Sequence, residues 1–483
     1  MRIVDWSLAG VVACFLLAVV VGSMDWRVEL DAPIMLYQAF LMDRYGFVPY
    51  RDFFDMNMPG SYLAYFMIGK VFGYGDLGVR LADLLPLLTM SGATTAMWWR
   101  VGRAPAVLAG SLVALRYLGF GQLMTLQREF LLLVAVSLGT AVAVSAWPLG
   151  RRALLAGLAF GLAITVKPHA GIGLLPIVVY LAAEAQQEPA PRRALLSGLG
   201  LGILGTALPL VVALAWMVVN GVLDNFVHAL GYLPYYGALD RTHTALSAES
   251  RPTYLLRSLL RLGSFQGLWL LAIGALAWGV LAADLDRARR RILGLFGGML
   301  LVYTVYPAAS GQFWNYHWLP MNFWIAASIP ALFLVQPSGA PWPLRVAPRF
   351  AGLVVVAFLL KLHHGSANPF FHMARVPTGG RPDAIARFLR DHLEPGDTVQ
   401  SIAWAGDGIT HGMLLAEAEL ATPYVYAFHF YHHVSTPYIR GLKRHFIHHF
   451  DRAEPDYVVR AKPTRPWVRG RDTSRRFPRL ERR

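Results

Sequence analysis

The chain has 483 residues, of which 55% are hydrophobic and 15% charged, with a mean hydropathy of +0.43. A water-soluble protein of this length needs more charge to cover its surface, so the apolar excess is read as facing lipid. The formal charge of +15 falls in short Arg clusters between apolar runs and in the stretch Arg460 to Arg483, which argues for anionic headgroups and against nucleic acid.

The first apolar run, Trp6 to Gly22, has the length of a signal peptide, but no small-residue A-x-A site follows it. It is therefore read as an uncleaved span over about 5–22. Cys14 lies inside it as the only cysteine, which excludes a disulfide framework or a cysteine-based zinc site within the chain. A polar and aromatic segment follows over 23–78. Further apolar runs lie near 79–99, 104–121, 129–148, 153–166, 170–184, 194–219, 264–282, 292–308, 317–335 and 349–362. At about 1.5 Å per helical residue these runs predict ten or eleven transmembrane helices. The fold class expected is thus an all-α polytopic membrane protein.

Alternate turns carry Arg100 and Arg103, Arg151 and Arg152, Arg192 and Arg193, Arg287 to Arg291, and Arg345 and Arg349. By the positive-inside rule these turns are cytoplasmic. The 23–78 segment, the 220–262 loop and everything after His363 then lie outside. A membrane module over 1–362 and a tail over 363–483 are expected, the tail being a small α/β extracytoplasmic domain. In it the pattern predicts a helix from Asp383 to His392, strands at Thr398–Ala403, Tyr424–Phe428 and Tyr457–Arg460, and a helix from Pro437 to Phe450. No internal repeat is visible, which counts against an inverted-repeat transporter.

Ionisable groups collect on the outer side. The first loop carries Asp31, Asp43, Arg44, Asp52 and Asp55 among Tyr37, Tyr45, Tyr50, Phe53 and Phe54. Arg128 and Glu129 open one span, Lys167-Pro168-His169 forms an outer turn, and Tyr316-His317-Trp318 begins another span. Asp31 opens the apolar stretch Ala32 to Phe40, where an idle carboxylate gains nothing. Carboxylates able to take a hydroxyl proton, beside cations able to steady a departing phosphate, fit transfer between an anionic lipid and a hydroxyl acceptor. The alternative is that these groups are interfacial anchors and loop ion pairs.

Asp31 after the first span, Tyr50-Arg51-Asp52-Phe53-Phe54-Asp55 with Pro59, Phe72-Gly73 and Val79-Arg80-Leu81 together resemble the first outer loop of GT-C membrane glycosyltransferases. The closest likeness is to the family-39-like group of dolichyl-phosphate-mannose-protein mannosyltransferases and aminoarabinose transferases. Arg128-Glu129-Phe130-Leu131-Leu132, Lys167-Pro168 and Tyr316-His317-Trp318-Leu319-Pro320 look like further landmarks of that group. The resemblance implies a GT-C-like fold and transfer of a sugar from a polyprenyl-phosphate donor to a hydroxyl of a lipid, glycan or protein acceptor. The reaction would take place at the extracytoplasmic face of a cell inner membrane. It implies Asp31 as general base, Asp55 and Glu129 as further catalytic acids, and Lys167 on the donor phosphate. Members of the group often carry acid-His-Lys-Pro-Pro after the aromatic pair, whereas Met56-Asn57-Met58-Pro59 stands here. With Asn57 in place of that Lys, Arg51, Lys167 or His169 is expected to supply the phosphate charge. Tyr50, Arg128, His317 and Tyr235, from the Tyr232 to Tyr236 cluster, are expected to line the substrate pocket.

No cofactor is expected. His429, His432, His433, His445, His448 and His449 have spacings that suit a divalent metal, but the aromatic residues among them favour interfacial packing. Two other functions compete with transfer: a flippase for a lipid-linked sugar, and a non-catalytic paralogue that kept the fold.

Overall fold

The computed structural model describes residues 2–238, 250–261, 264–281, 283–311, 313–336, 341–366, 380–402, 407–460 and 471–482, with 339 and 468. Parts of the expected 220–262 loop and of the basic stretch after Arg460 lie outside the described residues, as does Ala403. The chain divides into two compact units. One comprises 1–25, 83–212 and 252–375; the other comprises 26–82, 213–251 and 376–483.

The first unit is helical. Among the described residues five stretches are long and apolar enough to span a membrane: Asp5–Gly22, Leu149–Val166, Pro168–Ala185, Pro191–Val219 and Arg287–Ala309. Gln266–Leu281 is a shorter apolar helix. The runs read near 104–121 and 129–148 are the helices Arg103–Leu118 and Arg128–Ala143, and the last run lies in Trp342–Ser366. The helices Leu149–Val166 and Pro191–Val219 meet through small residues: a Cβ on Gly157 would strike the Gly202 carbonyl, and one on Gly205 the Leu154 carbonyl. Such close backbone approach is how helices associate where lipid supplies no hydrophobic drive. Arg152 and Arg291 share Glu184, at 3.2 and 3.1 Å, and tie three of the helices at one end.

The second unit combines the segment 26–82 with 213–251 and the tail. Its 26–82 segment is helical over Ala32–Tyr45 and Pro59–Phe72, with Pro33 and Pro59 opening the two helices where no backbone donor is needed. The tail contributes a three-stranded parallel sheet in the order β2-β1-β3, with β1 Thr398–Ile402, β2 Glu419–Leu420 and β3 Tyr457–Arg460. The expected helices appear as Arg381–His392 and Pro437–Ala453. The strand expected at Tyr424–Phe428 does not form. Pro423 interrupts the chain before it, and the side chains of β1 take its carbonyls instead: Gln400 donates to Tyr424 O at 2.9 Å and Ser401 to Val425 O. The core beneath is aromatic, built from Phe54, Tyr232, Tyr424, Phe430, Tyr431 and Phe446. The tail and the 26–82 segment are joined by charge as well. Arg27 holds Asp76 at 2.9 Å and Asp383 at 2.8 Å, and His411 lies 3.3 Å from Asp76.

Candidate active site

In the first unit, three separate stretches meet at Glu129. The turn 119–127 precedes it, and Leu126 stands there with φ +52°. Asp83 holds that turn: its Oδ1 accepts from the Tyr117 hydroxyl at 2.5 Å and from the Leu126 amide at 3.0 Å. The Tyr117 ring stacks on Phe130 with centroids 3.7 Å apart. Glu129 therefore enters the first turn of Arg128–Ala143 fully buried, where the helix dipole favours an anion.

Lys167 reaches it because Pro168 stops the helix Leu149–Val166. A residue before proline is driven to extended backbone, and Lys167 has φ −148° and ψ 123°. Its ammonium donates to Glu129 Oε1 and lies 5.2 Å from the Tyr316 ring centroid. His317 Nε2 lies 3.7 Å from the same oxygen. Its Nδ1 accepts from the Trp314 amide at 3.2 Å, which puts the proton of a neutral ring on Nε2, facing the carboxylate. Glu129 Oε2 is buried without a hydrogen-bond partner among the described residues, as is His169 Nδ1. His169 packs edge-on to Tyr306 at 5.8 Å. Glu129, Lys167 and His317 are thus brought together, and Arg128 precedes the carboxylate by one residue.

The second unit holds the other acids. Asp31 is the residue before the helix Ala32–Tyr45; it is half-buried, and its side chain does not cap the helix. Met35 and Gln38, four and seven residues on, lie on the same helical face. Gln38 donates to Asp55 Oδ2 at 3.0 Å, and Asn57 donates to that oxygen at 2.7 Å while its Nδ2 lies 3.3 Å from Met35 Sδ. Asp55 Oδ1 accepts from the Met56 amide at 2.7 Å and from Tyr426 at 3.5 Å. Asp55 is fully buried, held by neutral donors throughout. Burial, and then Asp55, raise the Tyr50 and Tyr62 phenols well above their ordinary range, so both remain protonated. Tyr50, at φ +71°, donates to Asn57 O at 2.6 Å.

Arg51 is not part of this arrangement. Its guanidinium pairs with Asp52 at 3.0 Å on an exposed surface. Tyr235 stacks on Tyr438 with centroids 5.2 Å apart, and its carbonyl accepts from His433. Among the described residues no three His, Cys, Asp or Glu side chains form a metal-binding group. The sequence reading missed Asp83, Gln38 and Tyr426. Asp83 carried a usable signal, as a carboxylate inside the apolar run 79–99.

The structure defines a class of protein: a polytopic helical bundle with a small α/β unit and a Glu-Lys-His cluster around a buried carboxylate. No family model and no curated protein sequence matches the chain. The structure is similar to ArnT from Cupriavidus metallidurans bound to undecaprenyl phosphate, at 16% identity and TM-score 0.56 over 86% of this chain and 85% of that one. The apo state of the same protein matches at 17% and 0.56, over 87% and 86%. The archaeal oligosaccharyltransferase AglB from Archaeoglobus fulgidus, in complex with an inhibitory peptide and a dolichol-phosphate, matches at 12% and 0.49, over 93% and 69%. The fold is therefore similar to that of ArnT. An identity this low establishes the fold alone, and the chemistry must be argued from the residues.

Proposed function

We propose that this chain is a membrane glycosyltransferase that moves a sugar from a polyprenyl-phosphate donor to an acceptor hydroxyl at the extracytoplasmic face of an inner membrane. The observation that carries the reading is the buried Glu129 carboxylate held by Lys167 and faced by His317, in a fold similar to that of a protein solved with undecaprenyl phosphate. Charges desolvated at the ends of apolar helices are costly, and functional sites are where such a cost is tolerated.

In this reading Asp31 takes the proton of the acceptor hydroxyl as its oxygen bonds to the anomeric carbon. The bond from that carbon to the phosphate oxygen breaks, and the phosphate leaves on the lipid with its charge offset by Lys167, with His169 as a further candidate; Arg51, already paired with Asp52, is not given this role. Glu129 holds Lys167, and Asp55 orients the first loop through its four donors. One positioned base contributes roughly 10²–10⁴-fold in rate. The tail and the outer segment over 26–82, which pack as one unit, would present the lipid, glycan or protein acceptor.

The decisive assay uses membranes with a panel of labelled polyprenyl-phosphate sugars and compares wild type with Asp31→Asn. Transfer by wild type, lost in a folded Asp31→Asn protein, is the expected result. Full activity of Asp31→Asn removes it as the base, and movement of intact lipid without transfer selects a flippase.

A further inference from the structure

We propose that Arg116 is a binding residue for the phosphate of a lipid, using a guanidinium that the protein itself leaves without a counter-charge. Arg116 stands in the last turn of the helix Arg103–Leu118 and is 9% exposed. Its Cζ lies 3.7 Å from the centroid of Phe120 and 4.0 Å from that of Phe265. At those separations neither ring can approach edge-on, and two rings cannot share one face of a guanidinium. Both faces are therefore covered by aromatic carbon, and the N–H donors are left in the plane at the rim. Nε is buried without a hydrogen-bond partner, and among the described residues no carboxylate pairs with this side chain.

The acids of the surrounding elements are engaged elsewhere: Asp83 Oδ1 by Tyr117 and Leu126, and Glu129 Oε1 by Lys167. The helix dipole and two ring faces recover only part of what a guanidinium loses on leaving water. Five rim donors in a fixed fork match a phosphate, which is why arginine serves there better than lysine. The location fits as well. Arg116 ends one apolar helix, and Phe265 immediately precedes the turn Gln266–Leu268 that leads into another, Trp269–Leu281. Ends of apolar helices lie at the level of lipid headgroups.

The anion site stands on this geometry. Its assignment to a polyprenyl phosphate, rather than a bulk phospholipid, rests on the function proposed above. The test uses the full chain in phosphatidylcholine nanodiscs, titrated with undecaprenyl phosphate and followed by thermal shift and by direct binding. Wild type should bind, and Arg116→Met should keep a Tm no lower than wild type while its Kd weakens roughly tenfold or more. Arg116→Lys, which keeps the charge and loses the fork, should fold and weaken binding by less. It decides the matter should the Met variant fail to fold. Unchanged affinity in the folded variants, or no binding by wild type, overturns the proposal. Equal, Arg116-dependent binding of phosphatidylglycerol supports the site and assigns it to bulk anionic lipid. Arg116-dependent binding without transfer of any sugar keeps the site and removes the glycosyltransferase reading.

Discussion

Asn57 donates its Nδ2 hydrogen to Asp55 Oδ2 at 2.7 Å, at the position where the family resemblance leads one to expect a lysine. An amide replaces an ammonium, so the buried carboxylate is satisfied by neutral groups alone. Removing that donor leaves Asp55 one hydrogen bond short. Asn57→Leu should cost about 1–3 kcal/mol of stability, as expected when a buried acceptor loses its donor. Asn57→Asp, which sets a like charge against Asp55, should cost more. Thermal unfolding of the detergent-solubilised protein measures both, and an unshifted Tm for Asn57→Leu would refute the assignment.

The Glu129–Lys167 pair makes a sharper prediction, because Glu129 is fully buried and only 15% of the Lys167 side chain is exposed. Glu129→Gln or Lys167→Met alone strands a charge and should destabilise by roughly 3–5 kcal/mol, whereas the double variant should recover much of that loss. Activity should not recover with stability, since the double variant lacks the cation assigned to the donor phosphate. A double variant as unstable as the sum of the single ones would mean the two groups do not pair.

Asp83 tests positioning rather than contact with substrate. Its carboxylate accepts from Tyr117 and Leu126, and so sets the turn from which Glu129 starts. Asp83→Asn keeps the shape but weakens both bonds. Its expected signature is a fall in kcat with little change in KM for acceptor or donor. A changed KM with kcat intact would point to direct contact instead.

The helices were legible because a bilayer leaves so few solutions: each apolar run must be a helix, and the runs read over 104–121, 129–148 and 194–219 are helices in the structure. Glu129, Lys167 and His317 were legible singly, as charges at the ends of such runs, but their meeting at one oxygen was not. That depends on Pro168 halting one helix and on Asp83, 46 residues before Glu129 in sequence, shaping the turn that leads into it. The tail was less readable. Two-residue β2 is too short to show a period of two, and Tyr424–Phe428 has strand composition but finds its partners in side chains of β1. Asn57 was visible as a departure, yet only its contact with Asp55 explains what the amide does.

The histidines of the tail predict how the second unit responds to acid. His429 is buried, with both ring nitrogens lacking partners among the described residues, inside rings of Phe54, Tyr232 and Tyr426 at 5.0, 4.6 and 4.8 Å. Burial pushes its pKa down to about 3. Desolvation against the Tyr424 ring, followed by His449, His228 and His448, lowers His445 to about 4. Unfolded histidines titrate at about 6.5. Between that value and about 3 the unfolded chain binds more protons than the folded one at these two sites, so stability must fall as pH falls through this window and is fully present above it. His429→Phe should flatten that acid limb and leave Tm at pH 7.5 unchanged or raised, because no hydrogen bond is lost and a ring of similar size remains. His445→Phe differs, since it gives up the Tyr424 hydroxyl at 3.1 Å and should lower Tm at neutral pH. Tm measured from pH 4.5 to 8 on the three proteins separates these outcomes, and an acid limb identical in wild type and His429→Phe would show that this buried ring is not what titrates.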